Sequence, residues 1–273
     1  MRDFREIYDI DTMIHYLKVK GENHESYYHY TSWDSLVKIM QNKSFLLTRG
    51  NSLSINDYNE ARKGSREEWN RTFIGSFSFG SAEIMAMWGL YCLPWSDAVR
   101  ISIPKDKMNR WQQSIHFIKP FVNGRTVEYR DRCDVSLNDI VYVEGTKGSD
   151  SIKLKHGNKV INIKTVNTLL GVDISPRMTG YIKNSAWKYE NEVRLRIQLD
   201  NNNTSFDRIS VDIPCDVVDS FIITTGPYFQ AKNDALYRRL KKENRIKESG
   251  FTNDVNYREL CSLCQHESFK KKE

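Results

Sequence analysis

The chain has 273 residues, of which 12% are aromatic and 28% charged, too ring-rich for a disordered chain and long enough to bury a sizeable core. Lys and Arg number 41 against 35 acidic residues, and the resulting formal charge of +6 permits a nucleic-acid partner without requiring one. With no apolar run near the ~20 residues that span a bilayer and no recognisable signal peptide, the chain is expected to be cytoplasmic, off the membrane and reduced at its cysteines.

In chain order, Tyr27–Tyr30 predicts a strand, after which Thr31 or Ser32 can cap a helix whose apolar positions Trp33, Leu36, Val37 and Met40 recur at helical spacing. A second strand follows, ending near Arg49. Asn56, Asp57, Tyr58 and Glu60 then lie in a polar loop where capping and loop hydrogen bonds are the ordinary role of such residues. Residues 72–80, TFIGSFSFG, alternate as a strand with Phe73, Gly75, Phe77 and Phe79 on one side and Ser76 and Ser78 on the other, and Gly75 suggests a kink or a close approach. Residues 81–92 predict a helix with Met85, Trp88 and Tyr91 or Cys92 on one face, an arrangement that serves core packing as readily as a ligand pocket. Strands are expected at 99–104 and 139–145, and helices at 105–122 and 158–170.

Residues 184–198, NSAWKYENEVRLRIQ, predict one strand that is apolar on one face and carries Lys188, Glu190, Glu192, Arg194 and Arg196 on the other. The ordinary explanation is a solvated outer face. Two carboxylates two positions apart nevertheless repel unless a cation sits beside them, and such groups concentrate at functional sites. A further strand, the segment 220–229 and a basic helix at about 230–247 complete the order. Strands and helices mix without a βαβ rhythm, so the expected class is α+β with a mixed or antiparallel sheet, in a single domain with its core at about 27–230 and a basic helical extension at 231–273.

Walker, Rossmann, zinc-protease and α/β-hydrolase signatures are missing. Cys261 and Cys264, with His266 nearby, have no second pair at matching spacing, so no metal site is expected.

Five segments in register, YHYTSWDSLVKIMQNKSFLLT, SINDYNE, GSFSFG with MWGLYC, WKYENEVRLRI and IITTGPYF, together resemble an uncharacterised bacterial family, domain of unknown function 2971. That family in turn resembles a divergent branch of the ADP-ribosyltransferase fold, a split mixed or antiparallel sheet flanked by helices. The resemblance implies that NAD is the substrate. By it, His29, Tyr30 and Thr31 hold the dinucleotide, and Ser76, Phe77 and Ser78 line the nicotinamide site. By the same resemblance Glu192 is the catalytic glutamate and Glu190 its partner, and Tyr58 or Tyr91 can take the Tyr role; Trp88 is a candidate to stack on the NAD rings, and Arg194 and Arg196, which lie outside the family pattern, are candidates to pair with the carboxylates or grip the pyrophosphate. A middle-strand Ser-Phe-Ser departs from the usual Ser-Thr-Ser or lone Tyr.

The expected function is therefore NAD-dependent ADP-ribosyl transfer to RNA, DNA or a protein, in a bacterial toxin or anti-phage effector with an antitoxin as a candidate partner. Two alternatives remain open at this point. One is a metal-dependent nuclease using Glu190 and Glu192 with Asp57 and Glu60; the other is a non-enzymatic nucleic-acid-binding module.

Overall fold

The computed structural model describes residues 23–50, 66–127, 131–143, 151–156, 159–164, 166–168, 171–173, 179–200 and 205–253. Asn56, Asp57, Tyr58, Glu60, Cys261 and Cys264 lie outside the described residues. The class is mixed α+β with mainly antiparallel pairing.

The strands are β1 (Ser26–Ser32), β2 (Ser44–Arg49), β3 (Thr72–Phe79), β4 (Ala98–Pro104), β5 (Phe117–Val122), β6 (Arg125–Thr126), β7 (Asp131–Asp139) and β8 (Val141–Val143). They continue as β9 (Ser151–His156), β10 (Lys159–Lys164), β11 (Val166–Thr168), β12 (Gly171–Asp173), β13 (Ile182–Asn184), β14 (Glu192–Leu199), β15 (Arg208–Asp212), β16 (Ile222–Thr225) and β17 (Ile246–Glu248). The helices are α1 (Trp33–Asn42), α2 (Arg66–Arg71), α3 (Met85–Tyr91), α4 (Lys105–Ser114), α5 (Cys215–Val218) and α6 (Ala235–Lys242), and a 3₁₀ helix spans Ser185–Glu190.

Two compact units divide the chain, one comprising Met1–Tyr27, Asn42–Gly80 and Ile103–Ser220, the other Tyr28–Gln41, Ser81–Ser102 and Phe221–Glu273. The first is built on a closed six-stranded barrel in which β14, β7, β5, β15, β2 and β3 pair in that order and β3 pairs back onto β14. Strand β14 runs antiparallel to both β3 and β7: Leu195 faces Gly75 on one side and Leu137 on the other. Period-two alternation sends Val193, Leu195 and Ile197 of β14 inward with Phe73 and Phe77 of β3, all fully or almost fully buried. Phe45 of β2 stacks on Phe77 at 5.4 Å, and the α4 residue Trp111 meets both rings edge-on while its indole N–H donates to the Asp212 carbonyl at 3.0 Å. Gly75 makes this packing possible, because a Cβ there would lie 3.1 Å from Phe45 Cε1.

The second unit carries the strand order β1, β4, β16, β17, with β16 antiparallel to β4 and parallel to β17. Ser32 caps α1 by accepting from the Ser35 N–H at 3.2 Å, and of the predicted stripe Trp33, Leu36 and Met40 form its buried face while Val37 is half-buried. Tyr30, Trp88, Cys92 and Ala98 form a core cluster, with Tyr91 packed against it.

Several expected elements differ. The helix expected over 105–122 ends at Ser114, and Phe117–Val122 is β5, since Pro120 lacks the donor a helix interior needs. The helix expected over 158–170 is instead β10 and β11, a stretch in which Val160, Ile161, Ile163 and Val166 favour extended backbone. Helix α6 is shorter than the expected 230–247: it starts at its Asp234 cap, which accepts from the Tyr237 N–H at 2.7 Å, and gives way at Asn244, φ 54°, to β17.

Candidate active site

The strand expected over 184–198 begins only at Glu192. Before it, the Asn184 side chain accepts from the Ala186 N–H at 2.9 Å and starts the 3₁₀ helix, and Asn191 in the left-handed region (φ 46°) ends it. Asn tolerates that backbone better than most side-chain-bearing residues. Side-chain alternation is thereby reset, so Lys188 and Glu190 belong to the 3₁₀ helix and only Glu192, Arg194 and Arg196 share the outer face of β14.

That face is not solvated. Glu190, Glu192, Arg194, Arg196 and Lys183 are all no more than 6% exposed. Glu192 Oε1 accepts from Ser76 Oγ at 2.6 Å and from Arg194 Nε at 2.7 Å, while Oε2 accepts from Lys183 Nζ at 3.1 Å and Arg194 Nη2 at 3.2 Å. Lys183 also donates to Glu190 Oε2 at 2.5 Å, and so bridges the two carboxylates. The like-charge problem posed by the sequence is solved by a lysine from β13. Its placement follows from the parallel pairing of β13 with β8, Lys183 beside Tyr142, whose hydroxyl accepts from the Glu192 N–H at 2.8 Å. Arg194 Nη1 donates to the Gly180 carbonyl at 2.8 Å, and the Trp187 ring covers the Lys183 ammonium at 4.9 Å.

Burial alone would raise the Glu192 pKa, but Arg194, then Lys183, and the hydrogen bonds from Arg194 and Ser76 outweigh it and hold the carboxyl at about 2. Burial would likewise lower the Lys183 pKa, yet Glu192 and Glu190 keep it above the ordinary lysine value despite the opposing Arg194. Tyr142 is pushed up by burial and by the two glutamates. The group is a desolvated network of paired side chains that meets solvent at Ser76, an exposed residue of β3.

Of the residues singled out in the sequence, the structure brings Ser76, Glu190, Glu192 and Arg194 together in the first unit. Ser78 is buried opposite Glu192 in the β3–β14 register, and Phe77 points into the barrel. His29, Tyr30, Thr31, Trp88 and Tyr91 belong to the second unit. There the Tyr30 hydroxyl accepts from the Ile84 N–H at 3.0 Å, its ring meets Trp88 edge-on at 4.9 Å, and Trp88 Nε1 donates to Glu83 at 3.1 Å.

Lys183 was not anticipated. Its only sequence signal is a lysine set directly after the apolar pair Tyr181-Ile182, both buried. A second unanticipated pair closes one region of the first unit: His24 Nε2 lies 2.6 Å from Asp139 Oδ1, with the imidazole stacked on Phe79 at 4.1 Å. Tyr27 beside it is pushed up to about 12 by burial and the Asp139 charge.

Among the described residues no group of three or more His, Cys, Asp and Glu could hold a metal ion, and no helix is long and apolar enough to cross a membrane. No curated protein and no solved structure matches the chain. Residues 87–195, which include Lys183, Glu190, Glu192 and Arg194, match the model of a family described as protein of unknown function (DUF2971), and the match supports the resemblance to that family read from the sequence motifs.

Proposed function

We propose that the chain is an NAD-dependent ADP-ribosyltransferase with an ADP-ribosyltransferase-like core, transferring ADP-ribose to a macromolecular acceptor. The observation that carries this reading is the 2.6 Å hydrogen bond from Ser76 Oγ to Glu192 Oε1, which joins the middle-strand hydroxyl and the later-strand glutamate that the family resemblance pairs.

Heterolysis of the nicotinamide–ribose bond leaves its electron pair on nicotinamide and positive charge on the ribose. A carboxylate ionised at every physiological pH, in a site mostly shielded from water, stabilises that charge. Arg194 and Lys183 make Glu192 a poor proton acceptor, so it acts through its charge and by accepting hydrogen bonds from ribose hydroxyls. Ser76, the exposed partner, is the donor such a hydroxyl replaces. Glu190, held by Lys183, is the carboxylate left to orient the acceptor nucleophile or take its proton as the new bond to ribose forms. RNA is the favoured acceptor class given the net charge of +6, with a protein acceptor next and an antitoxin as a candidate partner in a toxin or anti-phage setting.

The complete set of partners on Glu192 favours a second reading, in which the network only fastens residues 179–191 to the barrel wall. Purified protein and Glu192→Gln, incubated with labelled NAD and separately with total RNA, DNA and cell lysate, separate the two. The transferase reading expects label in one pool and released nicotinamide, both lost in the variant. NAD that stays intact and unbound at millimolar concentration in every pool sinks it. A parallel arm with EDTA reads the metal-dependent nuclease alternative.

A further inference from the structure

The five charges buried on and beside the outer face of β14 do not balance. Lys183, Arg194 and Arg196 are three cations against the two carboxylates Glu190 and Glu192. Arg194 spends its side-on edge, Nε and Nη2, on Glu192. The same two nitrogens of Arg196, two positions along the strand, are buried and have no hydrogen-bond partner among the described residues. Arg196 itself is 6% exposed. The Tyr181 ring, 5.3 Å from its Cζ, satisfies the face of the guanidinium and leaves the edge unanswered. Burying a guanidinium without a counter-charge is unfavourable, much as breaking a buried pair is.

A second orphan lies on the same turn. Thr179 is 1% exposed and its Oγ1 has no partner among the described residues. The following residue, Gly180 (φ 87°), packs on Arg196: a Cβ there would be 3.6 Å from Arg196 Cδ. Ser136, opposite Arg196 across the β7 register, and the Tyr181 hydroxyl satisfy each other.

We propose that the side-on edge of Arg196, with the Thr179 hydroxyl as a third donor, binds a phosphate group of the diester or pyrophosphate-bridge type. The guanidinium fork matches two phosphate oxygens in one plane. One negative charge per phosphate also neutralises the single excess cation. Because the two nitrogens are shielded from solvent, the phosphate is enclosed as it binds, by local opening of the Thr179–Tyr181 turn. The site stands apart from the transferase reading, since it uses neither glutamate. Its phosphate can come from a dinucleotide or from a polynucleotide backbone.

The test uses the full chain in phosphate-free buffer, with calorimetry and thermal melting against ADP-ribose and, separately, a short oligoribonucleotide, for wild type, Arg196→Met, Arg196→Lys and Thr179→Val. Wild type is expected to bind at least one ligand, and both Arg196 variants to lose about tenfold or more in affinity, the Lys variant because it keeps the charge without the fork. Thr179→Val should weaken binding less. Without ligand, Arg196→Met should melt no lower than wild type, because it removes an unbalanced charge. Tighter binding of ADP-ribose assigns the dinucleotide as the source, and tighter binding of the oligoribonucleotide assigns the polynucleotide. The proposal is overturned if wild type binds neither, if Arg196→Met binds as tightly, or if ligand-free Arg196→Met melts clearly below wild type. NAD turnover is read in the same samples, so a protein that binds but does not turn over NAD loses the transferase reading and keeps this one.

Discussion

Glu192 is the residue on which stability and the proposed chemistry meet. Its folded pKa of about 2 lies below the ordinary 4.5, so its contribution is fully present above about pH 4.5 and is lost as pH falls through about 2. That contribution is on the order of 3 kcal/mol at neutral pH. Urea midpoints of wild type and Glu192→Gln at pH 7, 5 and 3 should therefore converge as the medium becomes acidic; an unchanged gap at pH 3 would contradict the ionised network. Lys183→Met is expected to cost about 3–5 kcal/mol, since it removes the cation that bridges two buried carboxylates. Adding Glu190→Gln should recover part of that loss, and a double-mutant cycle with no coupling would mean that the bridge contributes nothing. The two glutamates were legible in the sequence because their spacing posed an electrostatic problem. The answer, Lys183, was not, because it comes from a strand whose pairing partner lies some forty positions earlier, and nothing local announces a contact of that range.

At the scale of elements, the stretch from 184 to 198 shows where alternation misleads. Arg194 and Arg196 were correctly placed on one face with Glu192, but the pattern ran straight through Asn191, whose left-handed backbone interrupts it. Asn191→Gly should be tolerated within about 0.5 kcal/mol, whereas Asn191→Val should cost about 1–2 kcal/mol by forcing a β-branched residue to positive φ. Equal melting temperatures for the two variants would mean that this turn does not set the start of β14. Helix α1 was legible in its cap and in most of its apolar spacing, while β10 and β11 were not, because short apolar runs support either period. The glycine read as a close approach is one: Gly75 gives its Cβ space to Phe45, though which ring would fill it depends on a strand pairing that sequence alone does not supply.

At the scale of the molecule, the α+β class followed from element order, whereas closure of six strands into a barrel depends on β14 pairing with both β7 and β3, a long-range choice invisible to local pattern. The net charge of +6 belongs to this scale as well. If RNA is the acceptor, its retention should fall steeply, by about 10³-fold or more, between roughly 50 and 200 mM salt when six or more phosphates are contacted. Retention that ignores salt would instead favour a protein acceptor. Closure also restricts how such an acceptor can be held. Each of the six strands already has a neighbour on both sides, so the backbone amides of β14 have nothing to offer an incoming extended peptide, and recognition by strand addition is closed to this wall of the protein. At the barrel wall a protein acceptor would have to be read by side chains and turns, which there makes a folded surface a better match than an extended tail.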